Sequence, residues 1–384
     1  STERNISLVV EENQVKKALN VLHEQFFLSN IKKLNLFVVG VGGVGKELIR
    51  QFAEQYDYLM RQHHLEIRLI GVANSRTMCL DEKGIPLDKY ADYLEKGEKM
   101  DFAQYLEKMK AFNLRNSVFI DNTANHAVGK AYLDILANSI SVVTPNKIAA
   151  SSDMPHYLAL KHEAKMNNAK FLYETNVAAG LPVINTIADL MKSGDEVIKI
   201  EAVLSGSLNF IFNEIMVNED KFKSIVEEAM RLGYTEPDPR IDLSGVDVQR
   251  KILILAREAG LQLEMKDVVG ENFLPEDCRT SNSVDEFLSA LEEDQKAFEA
   301  MKNKAMEASC KLRYVAKLEK GKLSSGLQMV DVNHPFYHLN GTDNMVLINT
   351  SRYNKFPLIV QGAGAGIEVT AAGVFADVMR IANR

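Results

Sequence analysis

The stretch Leu34-Asn-Leu-Phe-Val-Val-Gly40-Val-Gly-Gly-Val-Gly45-Lys-Glu-Leu-Ile-Arg50 decides the fold of this chain. Residues 35–39 are rich in β-branched and aromatic side chains and predict a strand, and residues 46–58 have a helical pattern. The glycines between them allow a tight turn, close approach of a pyrophosphate, and close packing of helix against strand. A strand, G-x-G-x-x-G and a helix in this order predict a Rossmann-type dinucleotide-binding unit. The candidate cofactor-binding residues of the loop are Gly40, Val41, Gly42, Gly43, Val44 and Gly45.

The next predicted strand, residues 66–73, ends at Asn74, Ser75 and Arg76. A site built for NAD places a carboxylate at this point, where it accepts hydrogen bonds from the ribose 2′-hydroxyl. None is present, and a guanidinium suits a 2′-phosphate because the two form charge-assisted, bidentate hydrogen bonds. The sequence therefore predicts a preference for NADP(H), with NAD(H) still possible. The alternative for Arg76 is an ordinary exposed loop residue.

The alternation of helix and strand continues to about residue 173. Helices are predicted over residues 99–112 and 127–138, and strands over 118–120, 140–143 and 171–173. In an open parallel sheet, ligands bind at the carboxyl ends of the strands. The loops 121–125 and 144–147 follow two of these strands, so they are expected to border the cofactor site.

The composition is that of an ordinary globular protein, with 46% hydrophobic and 25% charged residues. A net charge of −7 gives no electrostatic reason to expect nucleic acid or an anionic membrane as a partner. The three cysteines are widely separated and have no metal-ligand spacing, which favours a reducing, cytoplasmic location. The apolar runs are too short to span a bilayer.

A second informative segment is Leu232-Gly-Tyr-Thr-Glu-Pro-Asp-Pro-Arg-Ile-Asp-Leu-Ser-Gly-Val-Asp-Val-Gln-Arg-Lys251. By pattern alone it is a proline-braced turn leading into a charged helix that runs to residue 260. Ser244 is a reasonable N-cap, with Asp247 three positions later. A helical wheel places Asp247, Lys251 and Glu258 on the polar side, where an i,i+4 pair is commonplace.

This segment resembles the substrate-binding and catalytic segment of homoserine dehydrogenases, and the resemblance extends over residues 34–384. Such enzymes interconvert L-homoserine and L-aspartate 4-semialdehyde with a nicotinamide cofactor. The resemblance implies catalytic roles for Lys251, Lys147 and Asp247. It implies that Glu236, Asp242 and Lys147 bind the substrate, and that Thr123, Lys147 and Gly366 border the cofactor. A lysine whose pKa is lowered by a neighbouring cation would suit the proton transfer.

The segment Glu174-Thr-Asn-Val-Ala-Ala-Gly-Leu-Pro182 resembles the family's loop for a monovalent cation, usually sodium. By position, the ligands would be the carboxylate of Glu174 and the carbonyl oxygens of Val177, Ala179 and Leu181. Hard cations prefer such oxygen ligands. The alternative is a crowded crossover that needs small residues.

The resemblance also predicts the domain organisation. Residues 31–173 and 355–384 would form the dinucleotide-binding domain, and residues 174–354 an α+β domain for substrate binding and dimerisation. Two hairpins, with strands at 311–317 and 323–330 and at 345–350 and 358–361, would build the second sheet. Residues 1–30 resemble the end of the regulatory domain in bifunctional aspartokinase–homoserine dehydrogenases, so a fused upstream kinase is expected. The second sheet, through which enzymes of this family dimerise, implies a homodimer. A simple N-terminal extension is the alternative.

Two other functions are alternatives. An aspartate-semialdehyde dehydrogenase also binds NADP on this fold, but it needs a cysteine nucleophile, and none of the three cysteines lies in a loop suited to a site. A nucleotide-sensing module without activity would not need the acidic segment that ends at Lys251. The resemblance therefore favours a homoserine dehydrogenase over both alternatives.

Overall fold

The computed structural model describes residue 7 and residues 9–15, 18–19 and 31–382 of the chain. Two compact units are present: Ser1–Asn146, Leu158–Leu172 and Val374–Arg384 form the first, and Lys147–Tyr157 and Tyr173–Gly373 form the second. The sequence predicts that residues 355–384 belong to the nucleotide domain. In the structure, the strand at Leu358–Ala363 pairs within the sheet of the second unit, and residues up to Gly373 belong to that unit.

The first unit is built on a seven-stranded sheet. Its strands are β1 (Lys32–Val39), β2 (Leu65–Ala73), β3 (Thr77–Ile85), β4 (Glu98–Lys99), β5 (Ser117–Asp121), β6 (Ser141–Val143) and β7 (Phe171–Leu172), in the order β4-β3-β2-β1-β5-β6-β7. The five strands from β2 to β7 in this order are parallel, whereas β3 and β4 extend the sheet in antiparallel fashion. Strand β1 lies at the centre, and Leu34, Leu36, Phe37 and Val38 are completely buried, as expected for a strand covered on both faces. The predicted Rossmann-type fold is confirmed.

Five α-helices lie between β1 and β6 along the chain. They are α1 (Gly43–His63), α2 (Tyr90–Glu95), α3 (Phe102–Phe112), α4 (His126–Lys130) and α5 (Tyr132–Ala137). The single helix expected over residues 127–138 is therefore two short helices. The helix expected from residue 99 begins at Phe102, because Lys99 belongs to β4 and the side chain of Asp101 caps the helix by accepting from the amide of Gln104 at 3.0 Å.

The second unit contains a six-stranded sheet. Its strands are β8 (Val197–Val203), β9 (Val268–Gly270), β10 (Lys311–Glu319), β11 (Lys322–Val330), β12 (Asp343–Thr350) and β13 (Leu358–Ala363), in the order β13-β12-β8-β10-β11-β9. Both predicted hairpins are present, and β8 joins them by pairing with β12 on one side and β10 on the other. The remaining α-helices within residues 31–382 are α6 (Lys147–Ala150), α7 (Met154–Met166), α8 (Ile184–Lys192), α9 (Gly206–Val217), α10 (Phe222–Arg231), α11 (Pro239–Leu243), α12 (Val246–Glu258), α13 (Glu276–Thr280), α14 (Val284–Glu293), α15 (Gln295–Glu307) and α16 (Ile367–Ala382).

Two expectations about α12 were wrong. Its N-cap is Gly245, in the left-handed conformation with φ 70°, and not Ser244. The side chain of Ser244 accepts a hydrogen bond only from the amide of Val246, at 3.3 Å. Lys251 is buried, although the helical wheel placed it on the polar side. Residues 1–30, which resemble the end of a regulatory domain, lie largely outside the described residues.

Candidate active site

The glycine-rich loop between β1 and α1 is shaped by close backbone contacts. Gly40 has a φ of 93°, and a Cβ atom there would lie 2.8 Å from the carbonyl carbon of Asn122. A Cβ on Gly45 would lie 2.0 Å from the carbonyl oxygen of Gly40, so the first turn of α1 packs directly on the loop. A Cβ on Gly42, by contrast, would meet nothing within 4 Å. Gly40 and Gly45 are therefore required by packing, whereas Gly42 leaves the helix N-terminus open to a phosphate.

A cavity of about 850 Å³ opens beside this loop. It is lined by Gly40, Val41, Gly42, Lys46, Asn74, Ser75, Arg76, Thr77, Tyr90, Ala91, Leu94, Glu95, Asn122 and Thr123. The side-chain oxygen of Asn74 accepts from the amides of Arg76 and Thr77 at 2.7 and 2.8 Å, which holds the loop after β2 in a tight turn. Among residues 31–382, neither the Arg76 guanidinium nor the Lys46 ammonium has a hydrogen-bond or ion-pair partner. The size and the two unpaired cations suit a phosphorylated nucleotide.

The loops after β5 and β6 are tied together by a buried network that the sequence did not reveal. Asp121 is fully buried, and its carboxylate accepts from the Tyr132 hydroxyl at 2.5 Å and from the Asn146 amide at 3.1 Å. It also accepts from the backbone amide of Thr123 at 2.7 Å. This hydrogen bond fixes the backbone of Thr123, which the sequence predicts to border the cofactor. Burial raises the pKa of Asp121, while these hydrogen bonds lower it. An aspartate within the loop 121–125 was visible in the sequence, but its tyrosine partner lies on α5.

In the second unit, Asp247 brings together the two lysines predicted to be catalytic. Its carboxylate lies 2.8 Å from the Lys251 ammonium and 3.1 Å from the Lys147 ammonium. The Lys251 ammonium also donates to the carbonyl oxygen of Leu204, at the end of β8, at 2.6 Å. The Lys251 side chain is 11% exposed and that of Asp247 is 42% exposed, so the carboxylate can be reached from outside the protein.

The pKa values of Lys251 and Asp247 are both lowered in this cluster, for different reasons. Burial lowers the pKa of Lys251 below its usual value; Asp247 works against that shift and Lys147 adds to it. For Asp247, burial alone would raise the pKa, but the two ammonium groups outweigh it and hold the pKa well below the usual range. Asp247 therefore stays ionised, and Lys251 can give up its proton more easily than an exposed lysine.

The start of α12 explains how Asp247 and Lys251 reach this position. Gly245 adopts a left-handed conformation, and a Cβ there would lie 2.0 Å from the Tyr314 hydroxyl. The helix can therefore begin directly against β10. Asp247 lies in its first turn, where the helix dipole favours a carboxylate, and Lys251 follows one turn later.

The two candidate substrate carboxylates have different surroundings. One Asp242 oxygen accepts from the Ser207 hydroxyl at 3.0 Å, and the other accepts from the backbone amide of Glu236 at 2.8 Å. Glu236 is exposed, and within the described residues its carboxylate has no hydrogen-bond or ion-pair partner. Asp242 thus fixes the loop that carries Glu236, and the Glu236 carboxylate can bind a ligand.

The predicted cation loop is buried and tightly wound. Glu174 is 1% exposed and accepts from the backbone amides of Ile184 and Asn185, at the start of α8, at 2.6 and 3.1 Å. Ala178 and Ala179 have positive φ angles of 57° and 51°. The amide of Val183 donates to the carbonyl oxygen of Leu181 at 2.9 Å. The described residues contain no group of three or more His, Cys, Asp and Glu side chains that could hold a metal ion.

Gly366 lies in the loop between β13 and α16, with a φ of 134°. The carbonyl oxygen of Gly366 accepts from the amide of Thr370 at 3.0 Å, and this hydrogen bond forms the first turn of α16.

No helix in the described part of the chain is long and apolar enough to cross a lipid bilayer.

Comparisons with known proteins match both halves of the chain. Residues 40–174 match the family model for the NAD binding domain of homoserine dehydrogenase, and residues 182–379 match the model for homoserine dehydrogenase. The bifunctional aspartokinase/homoserine dehydrogenase of Haemophilus influenzae is 42% identical over 381 residues, which are 99% of this chain and 46% of that protein. The chain thus spans slightly less than half the length of that relative.

Two further similarities cover nearly complete proteins. The homoserine dehydrogenase of Saccharomyces cerevisiae is 34% identical over 92% of this chain and 99% of its own length. The structure of a hyperthermophilic archaeal homoserine dehydrogenase mutant in complex with NADPH is 25% identical, with a TM-score of 0.71, over 91% of this chain and 98% of that one. Because both family models match in chain order and the yeast enzyme aligns along almost its whole length, this chain belongs to the homoserine dehydrogenase family of NAD(P)-dependent oxidoreductases.

Proposed function

We propose that this chain interconverts L-homoserine and L-aspartate 4-semialdehyde, a step in the biosynthesis of threonine and methionine, with NADP(H) preferred over NAD(H). The observation that carries the proposal is the shared Asp247 carboxylate, which holds the Lys147 and Lys251 ammonium groups at 3.1 and 2.8 Å. Two lysines around one accessible carboxylate supply both the proton transfer and the positive charge that a small, charged substrate needs.

Lys251 is the proton carrier of this proposal. A bound nicotinamide supplies the hydride acceptor for the oxidation and the hydride donor for the reduction. In the oxidation, neutral Lys251 takes the proton of the substrate hydroxyl at its Nζ atom; in the reduction, its ammonium returns a proton to the aldehyde oxygen. The contacts to Asp247 and to the Leu204 carbonyl oxygen keep Nζ in place through both directions.

Glu236 is the group that binds the substrate ammonium, since its exposed carboxylate has no partner among the described residues. Asp242 acts on it indirectly by holding its backbone amide at 2.8 Å. Lys147 contributes to substrate binding and borders the nicotinamide, and Thr123 borders the nicotinamide from the loop after β5. Gly366 is proposed to border the cofactor from the loop before α16.

The residues around Glu174 are compatible with a sodium ion. The Glu174 carboxylate is buried and accepts from the backbone amides of Ile184 and Asn185. Together with the Val177, Ala179 and Leu181 carbonyl oxygens, it forms an oxygen-only donor set. Replacing sodium by choline should lower the thermal stability if the ion binds here, and equal melting temperatures in the two salts would contradict it.

The complete protein is proposed to be a homodimer with an aspartokinase fused upstream and to act in the cytoplasm. The fused relatives support the kinase, since this chain covers 46% of the Haemophilus influenzae protein. Light scattering of the purified protein tests the dimer, and a monomer at micromolar concentration would contradict it.

The deciding experiment follows NADPH absorbance with L-homoserine and each oxidised cofactor. We expect turnover in the wild type. In Lys251→Met we expect kcat to fall by about two to four decades, the usual contribution of general acid–base catalysis. The wild-type oxidation rate should rise with pH and level off below pH 10.5, because burial lowers the Lys251 pKa from 10.5 and only the neutral amine accepts a proton. The control is Lys304→Ala, an exposed lysine on α15. An unchanged kcat in Lys251→Met would refute the role of this lysine.

The cofactor preference has its own test. The Arg76 guanidinium lines the cavity and has no partner within residues 31–382, so it can pair with a 2′-phosphate. A charge-assisted pair contributes roughly 1.5–3 kcal/mol, or about one to two decades in affinity. Arg76→Ala should therefore lower kcat/KM for NADP by that factor and leave kcat/KM for NAD nearly unchanged. A wild type that already prefers NAD would contradict the proposal.

A further inference from the structure

The cavity beside the glycine-rich loop contains one carboxylate as well as two cations. Glu95, on α2, lines it together with Arg76 and Lys46. We infer that Glu95 weakens the preference for NADP(H) by accepting a hydrogen bond from the unphosphorylated ribose of NAD(H) and by repelling the 2′-phosphate of NADP(H). The inference deepens the proposed function and rests on it, because it concerns the cofactor of the same dehydrogenase site.

Glu95 is held at the cavity by several backbone contacts. The strands β3 and β4 flank α2 and pair with each other, with Met78 opposite Glu98. A Cβ on Gly97 would lie 2.4 Å from the Met78 carbonyl oxygen, so the turn after α2 packs directly on β3. The amide of Met100 donates to the carbonyl oxygen of Arg76 at 2.9 Å. The segment that carries Glu95 is therefore tied to the loop that carries Arg76.

The charges at this cavity are available to a ligand. Glu95 is exposed, and among residues 31–382 its carboxylate has no hydrogen-bond or ion-pair partner; the same is true of Arg76 and Lys46. A ribose hydroxyl donates readily to a carboxylate, whereas a 2′-phosphate is an anion and is repelled by one. The Arg76 guanidinium, by contrast, attracts the 2′-phosphate and so favours NADP(H). Opposite charges at one site would thus limit the discrimination between the two cofactors.

This arrangement supplies a carboxylate that the sequence order does not reveal. In NAD-binding Rossmann units, the carboxylate that binds the ribose comes at the end of the second strand. Here β2 ends at Ala73 and is followed by Asn74. The carboxylate of Glu95 comes from a later helix, because the antiparallel extension β3–β4 brings that helix back to the end of β2.

The test measures the dissociation constants of NADPH and NADH by fluorescence titration of the intact protein, so that it does not depend on turnover. In Glu95→Gln, we expect the NADH-to-NADPH ratio of dissociation constants to rise by about three- to tenfold. The matched control is Asp92→Asn, which removes the same charge from the same helix at an exposed residue that does not line the cavity. Its ratio should stay within twofold of the wild type.

Two results would overturn the inference. One is an unchanged or lower ratio in Glu95→Gln; the other is an equal rise in Asp92→Asn, which would show a general effect of net charge. Turnover of L-homoserine by the wild type is measured separately. If turnover is absent but the binding ratio responds as expected, the proposed reaction fails while the role of Glu95 stands. If turnover is present and the ratio does not respond, only the role of Glu95 fails.

Discussion

Tyr105 and Tyr132 are both completely buried in the first unit, but their hydroxyl groups have different surroundings. The Tyr132 hydroxyl donates to Asp121 at 2.5 Å and lies 3.0 Å from the Thr144 hydroxyl. The Tyr105 hydroxyl has no hydrogen-bond partner among the described residues. At this scale, the same residue type with the same burial stabilises the fold by different amounts, because a hydrogen bond to a charged group is among the stronger ones.

This difference gives a paired prediction. Tyr132→Phe removes the donor to a buried carboxylate and should lower the free energy of unfolding by about 1.5–3 kcal/mol. Tyr105→Phe removes a hydroxyl without a partner and should leave the stability unchanged or slightly higher. Urea denaturation of the two variants measures both. Equal destabilisation by the two substitutions would show that the Asp121 network does not stabilise the unit.

At the scale of the element, α12 shows how a helix can bury a residue from its polar side. Lys251 follows Asp247 by one turn, and this spacing is typical of a solvated face. The end of β8 lies against that face, and the Leu204 carbonyl oxygen accepts from the Lys251 ammonium at 2.6 Å. The N-cap also depends on a neighbouring element. Only glycine fits at position 245, because the Tyr314 hydroxyl leaves no room for a Cβ there.

The N-terminus of α12 is testable with two glycines of similar conformation. Gly245 and Gly233 have φ angles of 70° and 71°, but a Cβ would meet Tyr314 at the first and nothing within 4 Å at the second. Gly233→Ala should cost about 1–2 kcal/mol, the penalty for a left-handed residue with a side chain. Gly245→Ala should cost more than this and also lower kcat, because the clash displaces the turn that carries Asp247. Chemical denaturation and steady-state kinetics check both. Equal costs at the two sites, with kcat intact, would contradict the steric argument.

At the scale of the whole molecule, the chain has two units, each with its own sheet and its own buried residues. Proteins with more than one domain commonly depart from two-state unfolding. The proposed NADPH site lies in the first unit, since every residue that lines the cavity belongs to it. A ligand stabilises the state that binds it, by about 2.7 kcal/mol at a concentration one hundred times its dissociation constant.

Calorimetry should therefore resolve more than one unfolding transition. NADPH should raise the melting temperature of the component that contains the first unit more than that of the other. Arg76→Ala should reduce this shift at the same NADPH concentration, while Glu236→Gln, in the second unit, should not. A single transition that moves as a whole would show that the two units unfold together.

The sequence by itself determined the local elements and the family. Hydrophobic periodicity and turn residues act over a few positions, so they can be recognised in the sequence alone. They indicated the glycine-rich loop, the strands β1, β2 and β5, the two hairpins of the second sheet and the segment ending at Lys251. The homoserine dehydrogenase family and the nicotinamide cofactor class followed from these motifs and are confirmed.

Only the tertiary structure decided which side chains meet. The burial of Lys251, the start of α12 at Gly245, the pairing of Tyr132 with Asp121 and the approach of Glu95 to the cavity join residues that are distant in sequence or covered by another element. Periodicity describes one element at a time, so it cannot show what covers a helix face or where a later helix returns. The pKa of a lysine and the charge of a binding site depend on those distant neighbours, and therefore on the fold.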